Sequence, residues 1–196
     1  MGIIKDIGRR VEIVNLDRFG EITIALYQQM AEGGAVYRVH SYSSIEGAGE
    51  RISFVRRVMR VLGGMEVVDG EVEMLRFGCG HAHLSLVKIL FLRACKVDPE
   101  VAVETLGLGV ADPKSGQEVS FESIGAGGYA LSGSGEDEKD AKRLRMIRKL
   151  MVKHGEMDLS DESAYKLRFG CGLSHDELAG VLLAHAVKVR VSALAG

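Results

Sequence analysis

Apolar and polar positions alternate with a period near two over three early segments. Val11-Glu12-Ile13-Val14, residues 21–27 and residues 35–42 hold β-branched and aromatic side chains at partly alternating positions, as half-buried strands require. Gly20 and Gly33-Gly34 punctuate them, so the pattern predicts two or three antiparallel strands. The period then lengthens. Ile52, Val55, Met59 and Leu62 recur at helical spacing and predict one buried stripe. A short second helix is expected over residues 69–77, ended by Gly78. A third should follow the Gly78-Cys79-Gly80 turn.

The same succession returns later in the chain. Shifted by 92 positions, residues 51–97 overlay residues 143–189 without a gap, and 18 of the 47 positions are identical. Leu75-Arg76-Phe77-Gly78-Cys79-Gly80 falls on Leu167-Arg168-Phe169-Gly170-Cys171-Gly172, and Tyr37 falls on Tyr129. In the second copy, residues 101–110, 118–123 and 128–131 are the strand candidates. Leu144, Ile147 and Met151 mark the first helix. Ser160 reads as the N-cap of the second, with Asp161 and Glu162 suited to a helix start. Ser174-His175-Asp176-Glu177 reads as a capping box opening the third.

The expected fold is therefore α+β. It is a tandem duplication of a unit with two or three antiparallel strands followed by three helices, divided as 1–98 and 99–196 around Asp98-Pro99-Glu100. Two such units are expected to pair about a pseudo-twofold axis, as a homodimer would.

The overlay also selects chemistry. His83, Leu86, Leu90, Ala94 and Val97 match His175, Leu178, Leu182, Ala186 and Val189, a spacing that lies along one helical face. Cys79 and Cys171 stand four residues before the histidines. If the helical path extends back one turn, thiol and imidazole meet. Two Cys-x-x-x-His pairs supply two sulfurs and two imidazoles, the ligand set of a tetrahedral zinc site. His81 adds a further imidazole in the first copy only, so Cys79, His81 and His83 form an alternative three-ligand set. A second reading makes Cys79 a nucleophile with His83 or His81 as its base. The first copy suits that role better, because Asp176 and Glu177 in the second would oppose the positive end of the helix. Arg76 and Arg168 are candidates for anion binding or for capping helix carbonyls. The bland reading competes with all of these: a tight turn, a small buried thiol and a satisfied core histidine. Cys95, opposite Val187, reads as core.

Composition then narrows the classes. The formal charge is −2, so the surface as a whole does not attract nucleic acid. Arg51, Arg56, Arg57 and Arg60 lie on the first long helix. Its counterpart carries Lys142, Arg143, Arg145, Arg148, Lys149 and Lys153. Such stripes could contact phosphates, which makes nucleic-acid binding through the basic helices a third reading; acids at Glu136, Asp137, Glu138 and Asp140 precede that counterpart and no aromatic residues are interleaved with it, so nucleic acid is not the expected partner. Gly125-Ala126-Gly127-Gly128 lacks the Lys-Ser/Thr of a phosphate loop and reads as a hairpin or mobile loop. Ser-His-Asp chemistry has no local signature. Lys88, Arg93 and Lys96 interrupt the most apolar stretch, so no membrane span is expected. Three cysteines are too few for a disulfide framework, and a cytoplasmic protein with reduced thiols is expected. The sequence leaves open enzyme or binding protein, and a homo-oligomer.

Overall fold

Turn chemistry and two-residue alternation build most of the sheet structure. The computed structural model describes residues 3–7, 10–14, 22–42, 46–69, 74–161 and 165–189. The chain divides into two compact units, Met1–Glu104 and Thr105–Gly196.

In the first unit the strands are β1 (Ile3–Ile7), β2 (Arg10–Val14), β3 (Ile24–Ala31), β4 (Gly34–Ser41), β5 (Met65–Asp69) and β6 (Met74–Phe77). They form one antiparallel sheet in the order β1-β2-β3-β4-β6-β5. Helices α1 (Ala48–Gly63) and α2 (Leu84–Ala94) complete the unit. α1 packs on α2 and on β4, β5 and β6. Its buried face is Phe54, Val55, Val58, Met59 and Leu62, one position wider than the expected stripe, with Ile52 only half-buried. Each fully buried aliphatic side chain contributes roughly 1.5–3 kcal/mol.

The second unit holds β7 (Gly109–Ala111), β8 (Glu118–Gly125), β9 (Gly128–Gly133), α3 (Glu138–Gly155), β10 (Met157–Asp161), β11 (Lys166–Phe169) and α4 (Asp176–Ala186). Its antiparallel sheet runs β10-β11-β9-β8-β7. α3 packs on α4, β9 and β10. The segment from the first long helix onward repeats element for element. The strand β5 begins at residue 65 and β10 at 157; α2 begins at 84 and α4 at 176, so both differ by the same 92 positions as the sequence overlay.

Three expectations change. Among the described residues each unit has two helices rather than three, because the short second helix is a β-hairpin: β5 with β6, and β10 with β11. Leu75 and Phe77 are fully buried while Met74 and Arg76 are not, a period of two. Leu75 pairs with Tyr37 of β4, and Leu167 with Tyr129 of β9. Four residues are too few to separate that period from a helical one. Ser160 is accordingly a strand residue rather than an N-cap; Asp161 ends the same strand, and Glu162 lies outside the described residues.

The strand expected over residues 101–110 shrinks to Gly109–Ala111. Just before it the backbone runs against α4, where a Cβ on Gly180 would come within 2.5 Å of Leu106 O. The capping box also fails: α4 has His175 at its N-cap with no side-chain cap. Gly125-Ala126-Gly127-Gly128 is the β8–β9 hairpin turn, with Ala126 and Gly127 both at positive φ, the backbone of a tight two-residue connection.

Candidate metal centre

Each unit delivers its Cys and His from one strand–turn–helix segment. In the first unit, β6 sends Leu75 and Phe77 into the core and the chain turns through Gly78-Cys79-Gly80. Gly80 N donates to Phe77 O at 2.9 Å, and Ala35 N donates to Gly80 O at 3.1 Å. The turn therefore sits on the β3–β4 hairpin. The approach is so close that a Cβ on Gly34, which has φ 117°, would collide with Gly80 O. Gly127 stands in the same relation to Gly172 O in the second unit.

Within this frame Cys79 Sγ lies 3.3 Å from His83 Nε2, and Cys171 Sγ lies 3.2 Å from His175 Nε2. The pairing does not come from a helix extended back by a turn. α2 starts only at Leu84, and His83 sits at its N-cap with φ 41°. The Gly-Cys-Gly turn folds the thiol back onto the imidazole instead. A row of rings fixes each imidazole. Tyr37 meets Phe77 edge-on at 6.0 Å and Phe77 meets His83 at 5.5 Å; Tyr129 meets Phe169 at 5.9 Å and Phe169 meets His175 at 5.4 Å. Tyr37, Phe77, Tyr129 and Phe169 have no exposed surface, so the rows are held by the cores.

The units differ around the second histidine. Tyr129 Oη donates to Asp176 Oδ1 at 2.7 Å and accepts from His175 N at 2.8 Å. Burial, reinforced by the hydrogen bond to Asp176, holds the Tyr129 phenol above its ordinary value, so it stays a donor. Asp176 thus orients the start of α4 through Tyr129. Its counterpart in the first unit is Leu84.

The remaining candidates fall into place around the pairs. Exposed His81 donates its backbone N–H to Cys79 Sγ at 3.4 Å, and its Nδ1 lies 3.1 Å from Cys79 O. Arg76 and Arg168 lie on strands, opposite Glu66 and Asp158. Arg76 pairs with Glu66 at 3.5 Å. Cys95 is buried, and burial pushes its thiol up to about 12, in keeping with a core role. Each unit thus brings one cysteine and one histidine together, Cys79 with His83 and Cys171 with His175.

Two arginines in the basic stripes have a different task. Arg51, 5 % exposed, donates to Cys95 O at 2.6 Å and Val97 O at 3.3 Å. Arg143 donates to Val187 O at 2.5 Å and to Asp112 Oδ2 at 2.6 Å. Each guanidinium satisfies carbonyls left over at the end of α2 or α4. The signal was present in the overlay, where arginine opens both copies. No helix among the described residues is long and apolar enough to cross a membrane. No family model, curated protein or solved structure matches the chain.

Proposed function

We propose that this protein is a binding or assembly protein built on a tandem duplication, with one zinc ion held by Cys79, His83, Cys171 and His175. The observation that carries the reading is the repeated pair geometry. Zinc bonds of about 2.3 Å to sulfur and about 2.0–2.1 Å to nitrogen put tetrahedral S and N donors about 3.5 Å apart. The pairs at 3.3 and 3.2 Å need to open by only a few tenths of an ångström. Each pair is half of a tetrahedral set, and two sulfurs with two imidazoles complete it without an open position. Such a closed set suits a structural ion, whose binding free energy adds to folding. The common offset of 92 positions in sequence and in element starts supports duplication. Arrangement of the two units about a pseudo-twofold axis belongs to the same proposal.

The test uses the full untagged chain, purified under reduction and loaded with zinc or cobalt. One equivalent per chain is expected, with a thiolate-to-metal charge-transfer band in the cobalt form. Cys79→Ser and Cys171→Ser should each abolish tight binding, since half a set is insufficient. Zinc should also protect both thiols from alkylation, whereas Cys95 should react only after unfolding. Absence of binding, two equivalents per chain, or full binding by either variant would overturn the reading. Rapid labelling of Cys79 in the metal-loaded protein would point instead to thiol chemistry.

A further inference from the structure

Helix α3 carries seven Lys and Arg against Glu138 and Asp140, a net charge of +5 with His154 neutral. Lys142, Arg145, Lys149 and Lys153 are spaced three, four and four residues apart, so they project from one face. All four are exposed. They line a groove of about 750 Å³ together with Lys114, Lys139 and Arg143, with Met146 and one carboxylate, Asp140, also in its wall.

Two of the acids that weighed against this helix are held in local hydrogen bonds. Asp140 accepts from Gln117 Nε2 and Asp137 caps the helix by accepting from Asp140 N. Asp112 is neutralised by Arg143. Glu136 and Glu138 stay exposed at the start of the helix, more than two turns from Lys149 and Lys153. The corresponding helix of the first unit does not offer the same surface. There Arg51 is buried as a cap, Arg56 donates to Val39 O at 2.9 Å, and Arg57 lies over the Phe54 ring.

We infer that the α3 groove is a sequence-independent binding site for the phosphate backbone of duplex nucleic acid. From Lys142 to Lys153 the helix rises about 16 Å at 1.5 Å per residue. A duplex carries one phosphate charge per about 1.7 Å of axis, so a row of cations this long faces several phosphates at once. No aromatic side chain lines the groove. That removes the base-stacking platform that single strands use and leaves a row of point charges suited to a backbone.

The experiment is fluorescence anisotropy of the full chain with a labelled mixed-sequence DNA duplex. Four phosphate contacts predict a log–log salt slope of about −3.6, so Kd rises roughly 150-fold between about 50 and about 200 mM salt. A Lys142→Ala/Lys149→Ala/Lys153→Ala variant should bind at least tenfold more weakly and show a shallower slope, with an unchanged melting temperature because all three side chains are exposed. Arg60→Ala on α1 should change little. A second duplex of unrelated sequence should bind equally, and a single strand of the same length more weakly. Absence of binding at low salt would overturn the inference. So would a native slope near zero, or a triple variant that binds like the native chain. These readouts need no metal, so they stand or fall separately from the zinc proposal.

Discussion

Asp112 shows how one buried charge is kept. Its side chain has no exposed surface. Burial alone would raise its carboxyl. The hydrogen bonds from Arg143, at 2.6 and 3.4 Å, and from Lys114 N, at 2.9 Å, outweigh that cost and leave the group below its ordinary value. A carboxylate depressed in the folded state stabilises the fold above its unfolded value of about 3.9 and loses that stabilisation as pH falls. Urea unfolding at neutral pH and near pH 3 should therefore show a drop in stability that Asp112→Asn reduces. Arg143→Met should be the harsher change, by about 3–5 kcal/mol at neutral pH, because it strands a buried carboxylate. An Arg143→Met loss under about 1 kcal/mol would contradict this account. The ion pair itself was not visible beforehand. Arg143 stood in a basic run, and Asp112 lies 31 positions away in a turn with no periodicity to mark it.

At the scale of elements, the Gly-Cys-Gly turns depend on the hairpins beneath them. Gly34→Ala would force a Cβ into Gly80 O at a φ of 117°, which L side chains rarely adopt. A loss of about 2–3 kcal/mol is expected. Cobalt affinity should fall with it, because the turn that carries Cys79 must move. Denaturant melts and a cobalt titration of the same variant check both; an unchanged affinity would uncouple the hairpin from the site. Long periodic elements could be read from the sequence. Val55, Met59 and Leu62, or Leu178, Leu182 and Ala186, declare a helix face because several turns repeat the signal. The β5–β6 and β10–β11 hairpins could not be read that way. Their buried positions number only two or three, and their identity as strands comes from pairing with β4 and β9, a non-local contact. The Cys–His pairs were legible as residues but not as geometry. The spacing of four suggested a helix turn, whereas a glycine-bounded loop and a Tyr–Phe–His row create the contact.

At the scale of the whole chain, the two units share an order of elements but not a surface. Basic residues that serve as internal caps and braces on α1 are joined on α3 by a solvent-facing row. A common frame has therefore been used for two kinds of outer face. One feature of that frame bears on its motion. The gapless block opens at Arg51 and closes at Val97, and Arg51 itself bonds the carbonyls of Cys95 and Val97; Arg143 does the same at Val187. Each block is thus fastened end to end by its own first residue. Such a clasp makes helix, hairpin and helix open together rather than fray one at a time. Native-state hydrogen exchange should then find amides of α1, β6 and α2 sharing one opening free energy. Arg51→Met should lower all three by a similar amount, while amides of β3 in the same unit fall less. Exchange in which α2 alone opened would show that the clasp is only a local bond.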